Sequence, residues 1–126
     1  MGSRILLDTS VLINLQKNHQ STLKIFNEIK EKVFISRISA CEFIYGSRNK
    51  REKNINKDFL EYFDILDIRE EISFRAYQLL LKYGLNAKFN IADSFIAASA
   101  TTENVEFWTL NKKHFKTIQE IKFFEV

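Results

Sequence analysis

Ile5, Leu6 and Leu7 form an unbroken apolar run that stops at Asp8. A strand without polar alternation must be covered on both faces, as in a parallel sheet, so residues 4–8 are expected to form a short buried strand. The period then changes, because Val11, Leu12 and Leu15 recur at helical spacing and predict a helix from Thr9 to about Lys17. A buried strand running straight into a helix is the repeating unit of α/β folds. The alternation returns at Val33-Phe34-Ile35, at Phe107-Trp108-Thr109 and at Lys122 to Val126. The expected architecture is a three-layer α/β/α sandwich around a mainly parallel central sheet.

Helices are expected between these strands. Residues 20–32 place Ile25, Phe26 and Ile29 on one side. Ser39-Ala40-Cys41-Glu42 has the Ser-x-x-Glu spacing of a capping box and predicts a helix start at Ser39 and an end near Gly46. Segment 47–56 is polar and reads as a loop or a frayed helix. Residues 55–63 are amphipathic through Phe59, Leu60 and Phe63, and Asp64 to Ile68 alternates like a short strand. Ile72, Ala76, Leu79, Leu80 and Tyr83 form one stripe of a helix over 70–83, which Gly84 terminates. Asn90 is placed to cap a helix over 91–102.

The 126 residues suit a single domain, 1–126, and the 45% hydrophobic content, with twelve Phe, is enough for a real core. There is no Pro-rich or low-complexity linker and no internal repeat. Met1-Gly2-Ser3 is assigned no role. One cysteine, Cys41, excludes an intramolecular disulfide and is compatible with a reducing compartment. No signal peptide is evident, and no stretch approaches the roughly 20 apolar residues of a membrane helix, so a cytoplasmic chain is expected. The net charge of +3 permits a polyanionic partner without demanding one.

Asp8, Glu42 and Asp93 stand out against apolar surroundings. Each lies near a strand end or a helix start, the rim where parallel α/β folds gather their sites. Each has a structural reading as well: Asp8 could cap the following helix, Glu42 could complete the capping box, and Asp93 could serve the first turn after Asn90. Yet Cys41 and Phe43 flank Glu42, and Ala92, Phe95, Ile96, Ala97 and Ala98 surround Asp93, poor places for an acid needed only for solubility. Three crowded carboxylates repel one another unless a cation neutralises them, which points to a divalent-metal site and phosphodiester hydrolysis. One Cys and two distant His, His19 and His114, make no closed zinc site.

Four segments resemble, in order, the motifs of PIN-domain nucleases: Asp8-Thr9-Ser10-Val11-Leu12-Ile13, Ser36-Arg37-Ile38-Ser39-Ala40-Cys41-Glu42-Phe43, Asn90-Ile91-Ala92-Asp93-Ser94-Phe95-Ile96-Ala97-Ala98, and Thr109-Leu110-Asn111-Lys112-Lys113-His114-Phe115. Together they span essentially the whole chain. Length and motif style are most similar to the VapC-type toxins of toxin–antitoxin pairs. The resemblance implies a PIN-like fold and a Mg²⁺- or Mn²⁺-dependent endoribonuclease that leaves 5′-phosphate and 3′-hydroxyl ends. It implies Asp8, Glu42 and Asp93 as metal ligands and Ser10 as their polar support. The family often adds an acid in the closing motif, where this chain has Asn111 and His114, so a second metal position loses its ligand. Asn111 can still orient a water or ligand through its amide. The resemblance also implies a small antitoxin partner, and the amphipathic N-terminal helices offer a face for a homodimer.

Arg37, Arg48, Lys50, Arg51, Lys112 and Lys113 are candidates for RNA phosphate contacts, against the alternative that these runs are merely solvated. His114 could approach phosphate or serve packing. A competing reading is a catalytically weak or inactive PIN-fold module that binds RNA or protein. A phospho-accepting signalling domain is disfavoured, since Asp8 has no adjacent acid.

Overall fold

The computed structural model describes residues 4–86 and 88–126; Met1, Gly2, Ser3 and Ala87 lie outside the described residues. Strand β1 (Ile5–Leu7) is fully buried and lies at the centre of a five-stranded sheet of order β3-β2-β1-β4-β5. Its neighbours are β2 (Val33–Ser36) and β4 (Glu106–Trp108), and the edges are β3 (Ile65–Leu66) and β5 (Lys122–Phe123). Every pairing is parallel; Leu7 lies level with Ile35 on one side and Trp108 on the other.

Successive strand residues feed two separate cores, as the two-residue period of a strand requires. Leu6, Phe34 and Phe107 face one layer, packed with Ile72, Leu79 and Phe115. Ile5, Leu7, Val33, Ile35 and Trp108 face the other, packed with Val11, Leu12, Ala40, Phe43 and Leu60. The helices of that second layer are α1 (Thr9–Gln16), α2 (Gln20–Ile29), α3 (Arg37–Tyr45) and α4 (Lys50–Leu60). The first layer holds α5 (Glu70–Tyr83), α6 (Ile91–Glu103) and the short α7 (Lys112–Phe115). The expected α/β/α sandwich is present, with a fully parallel sheet.

Several local expectations change. Helix α3 starts two residues before Ser39, because β2 runs through Ser36 and turns directly into the helix. Ser36 is the N-cap, its Oγ accepting from the Ile38 N–H at 3.0 Å. Ser39 is buried inside the helix with no partner for its hydroxyl, so the Ser39–Glu42 capping box does not form. The Glu42 side chain is thereby left for another purpose. The polar segment before residue 57 is ordered as α4, capped by Asn49, whose Oδ1 accepts from the Glu52 N–H at 2.9 Å. Helix α2 stops at Ile29 and tightens into a 3₁₀ turn over Lys30–Lys32. The last strand covers only Lys122–Phe123. Gly84 ends α5 in a right-handed conformation, where a Cβ would run into the Leu80 carbonyl.

The chain builds β2 and β3 on one side of β1, then crosses to place β4 and β5 on the other. Strand order therefore reverses between β1 and β4, and the crevice beyond their carboxyl ends is where open α/β sheets place ligands.

Candidate active site

Asp8 follows β1 and Thr109 follows β4, so the register that aligns Leu7 with Trp108 carries both to that crevice. The Asp8 N–H still bonds the Trp108 carbonyl at 2.9 Å, extending the ladder to the site itself. Asp8 occupies the N-cap position of α1 but makes no side-chain cap bond. Its Oδ2 instead accepts from Ser10 Oγ and from Thr109 Oγ1, each at 2.8 Å. Both hydroxyls are held in turn: Ser10 Oγ accepts from the Leu110 N–H at 3.0 Å and Thr109 Oγ1 from the Asn111 N–H at 2.9 Å. The segment 109–111 is thus clamped onto Asp8, which is only 5% exposed. Oδ1 of Asp8 has no protein donor among the described residues.

Glu42 comes from α3, six residues beyond the end of β2. Its side chain opens to solvent, and its Oε1 accepts from Thr9 Oγ1 at 2.7 Å. Protein packed behind the carboxylate raises its pKa; the Thr9 bond opposes this, and the charges of Asp8 and Asp93 add to it. Asp93 sits in the first turn of α6, 7% exposed, in a complete capping box with Asn90. The Asp93 N–H donates to Asn90 Oδ1 at 2.8 Å and the Asn90 N–H to Asp93 Oδ2 at 3.3 Å. Burial raises its pKa most, the Asn90 N–H and His114 lower it, and Asp8 raises it further. The expected structural role of Asp93 and its placement beside the other acids therefore coexist.

The three acids act on one another electrostatically, yet none pairs with a Lys or Arg among the described residues. The one contact with a basic side chain among the described residues is His114, a ring nitrogen of which lies 3.3 Å from Asp93 Oδ2. Among the described residues, no three His, Cys, Asp or Glu side chains draw together tightly enough to enclose an ion. An open, oxygen-only, electron-rich rim nonetheless fits a hard divalent cation, since Mg²⁺ retains several waters and takes only one or two carboxylates directly. Asp8, Glu42 and Asp93 are the groups available to hold it.

The other sequence candidates divide. Ser10 is in the site. Asn111 is beside it in sequence and exposed, bonded to Thr109 through its backbone, with no side-chain cap bond at the start of α7. Arg37 pairs with Asp67 at 2.6 Å, Arg48 with Glu52 at 2.7 Å and Lys112 with Glu125 at 3.2 Å. Lys50, Arg51 and Lys113 are exposed and make no ion pair among the described residues. Thr9 and Thr109 lie within the quoted motifs but carry no expected role. Their signal is positional, each hydroxyl falling one residue beyond a strand or an acid.

A groove of about 410 Å³ leads from this rim between α1 and α4. Thr9 and Glu42 stand at one end, Phe43 lines it, and the half-exposed Ile13 and Ile55 flank it.

A family model described as PIN domain matches residues 5–121. Ribonuclease VapC1 of Methanocaldococcus jannaschii is 37% identical over 121 residues, covering 94% of this chain and 83% of that relative. A toxin-antitoxin complex from Klebsiella pneumoniae contains a chain of TM-score 0.78 and 25% identity, with 97% of this chain and 99% of that one aligned. DNA-bound VapBC from Salmonella typhimurium superposes with TM-score 0.83 at 20% identity, covering 98% of both chains, a likeness of fold.

Proposed function

The chain belongs to the PIN-domain family, in its VapC branch, and on that premise we propose that it is an endoribonuclease dependent on Mg²⁺ or Mn²⁺ and the toxin of a toxin–antitoxin pair. The observation that carries this reading is the convergence of Asp8, Glu42 and Asp93 on the β1/β4 crevice without a Lys or Arg counter-charge. A PIN fold kept only for binding would have no need of mutually repelling, partly buried acids.

Asp8, Glu42 and Asp93 would hold the cation. When bound, it supplies charge neutralisation at the phosphate and a lowered pKa for water in contact with it. Ser10 and Thr109 fix Asp8 through Oδ2 and leave Oδ1 for the ligand. Thr9 orients Glu42. Asn111 offers an amide to the substrate or a water. With an amide at position 111 and His114 on Asp93, one cation position is favoured over two. Purified protein should cleave single-stranded RNA with Mg²⁺ or Mn²⁺, and EDTA should stop it. Cleavage that survives complete metal removal overturns the mechanism; binding of RNA without cleavage under any divalent ion favours the inactive module.

The relatives named as toxin–antitoxin complexes support a small antitoxin as partner. We assign it the α1/α4 groove, where a segment with apolar side chains could rest on Ile13 and Ile55 and direct a cation toward Glu42. A second copy of the chain is assigned to α5. Its core stripe is opposed by a second one, Phe74, Tyr77 and Leu81, which are 59%, 58% and 70% exposed. Two copies crossing antiparallel at Tyr77 would bury this stripe on both chains. Among the described residues no helix is long and apolar enough to cross a membrane.

A further inference from the structure

The short helix α7 has two different neighbourhoods. His114 leans on Asp93. Lys113 and Lys116, one helical turn apart, line a shallow cavity of about 460 Å³ together with Lys82 and Lys88. Its walls are tied together. Asn86 Nδ2 donates to Thr117 Oγ1 at 3.0 Å, and the Lys88 N–H donates to Asn86 Oδ1 at 3.1 Å. The Tyr83 hydroxyl donates to Glu120 at 2.7 Å and accepts from the Gln119 N–H at 3.2 Å. Lys82 is neutralised by Glu120 at 3.2 Å. Lys88, Lys113 and Lys116 form no ion pair among the described residues. Lys88, Lys113 and Lys116, none of them ion-paired among the described residues, therefore line one concavity, while Arg37, Arg48 and Lys112 are engaged by the protein's own carboxylates.

We propose that this lysine cradle is a phosphate subsite for single-stranded RNA, holding the strand on one side of the bond positioned by the acid rim. The inference rests on the ribonuclease reading and extends it. Continuity is the argument. Lys113 adjoins His114, which touches Asp93, and Lys88 lies two residues before Asn90, which is bonded to Asp93 twice. Both lysine-bearing segments therefore leave the rim and enter the cradle within two residues. A polyanion with one phosphate at the rim meets unpaired cations at its next phosphates in this direction across α7. Lysine is a compact point charge that positions a backbone without reading bases, so the cradle adds affinity and not sequence choice. The exposed Leu85, on the same wall, gives a nucleobase an apolar ledge.

The test is binding of a labelled single-stranded oligoribonucleotide of about a dozen nucleotides, in EDTA so that no cleavage occurs, between about 50 and 200 mM salt. The triple variant Lys88→Gln/Lys113→Gln/Lys116→Gln should lower the slope of log affinity against log salt by about two, since each contact to a single strand contributes about 0.7. Across that salt range the wild type should then lose roughly fifteen- to twenty-fold more affinity than the variant. The Lys→Arg triple should restore the slope, separating charge from any damage to the fold. The pair Lys30→Gln/Lys32→Gln, in the 3₁₀ turn that precedes β2 at the sheet end away from the rim, should leave it near wild type. If the wild type cleaves RNA and the Gln triple keeps the full slope, the cradle is refuted and the ribonuclease reading stands. If the wild type neither binds nor cleaves RNA, that reading falls and the cradle with it. Displacement of the RNA by a polyglutamate peptide at equal charge concentration would overturn the choice of RNA over an acidic protein segment.

Discussion

Thr109 donates its hydroxyl to Oδ2 of Asp8 at 2.8 Å, a bond between residues 101 positions apart in sequence. It crosses the point where strand order reverses, and it joins the residue after β4 to the residue after β1. A carboxylate bonded on one oxygen by two hydroxyls has a settled orientation, so its other oxygen can be aimed. Removing the Thr109 hydroxyl at near-constant shape, as Thr109→Val, should weaken Mn²⁺ activation and cleavage by roughly ten- to a hundredfold, the usual effect of removing a residue that orients a metal ligand. The metal concentration at half-maximal activity should rise. A purely structural role would lower the melting temperature and leave that concentration unchanged.

Asp8→Asn, Glu42→Gln and Asp93→Asn should each reduce cleavage by more than about a hundredfold, since the proposed cation site loses a carboxylate in each and a lost ligand costs more than a lost support. The fold should survive, because each change lowers repulsion at the rim. Wild-type cleavage by all three variants would remove the site from consideration.

The pH dependence has a definite sign. Burial holds the carboxyls of Glu42 and Asp93 above their ordinary values. The folded state thus binds more protons than the unfolded chain between the ordinary carboxylate range and the raised folded values. Stability of the metal-free protein should fall as pH rises through that window and then level off. Glu42→Gln with Asp93→Asn should flatten this segment of a melting-temperature profile, and saturating Mg²⁺ or Mn²⁺ should offset the fall. Glu52, Asp67 and Glu120, whose values are lowered, act in the opposite sense, so the test is the difference between the wild-type and variant profiles: one that does not fall across the window contradicts the shifts.

The Ser/Asn-x-x-acid pattern appears three times, at Ser39–Glu42, Asn49–Glu52 and Asn90–Asp93, and only the first is not a cap. At Asn90–Asp93 the pattern, the preceding break and the helix coincide, and both reciprocal bonds form. At Ser39–Glu42 an earlier hydroxyl, Ser36, stands at the end of β2 and takes the cap, so the helix begins sooner. Burial does not separate the two serines, both of which are fully buried; Ser36 takes the cap because β2 ends there. The strands were legible because parallel burial leaves no polar residue in Ile5-Leu6-Leu7 or Val33-Phe34-Ile35. Helix α4 was not, since Lys50–Leu60 is mostly charged and owes its order to the Asn49 cap and to Phe59 and Leu60 against the second core. The three acids were visible through their apolar neighbours. The fate of the basic residues was not, because their partners are distant: Asp67 lies 30 residues from Arg37 and Glu125 lies 13 from Lys112. Thr109 became meaningful only once β1 and β4 were known to be adjacent.

The outer stripe of α5 was also hidden, behind the stronger stripe on its inner side. Ile72, Ala76 and Leu79 account for the fold, whereas Phe74, Tyr77 and Leu81 at spacings of three and four contact no core. Phe74 and Tyr77 lie against each other, ring centres 6.2 Å apart, as one continuous exposed surface. Burial of such side chains against a second copy is worth about 1.5–3 kcal/mol each when complete. Phe74→Ser/Leu81→Ser should therefore convert a dimer to a monomer in sedimentation, by weakening association at least about a hundredfold. Its thermal stability at low concentration should be little changed, since neither side chain is in the core. A wild-type chain that remains monomeric at high concentration, or a double variant that stays dimeric, excludes α5 as the interface.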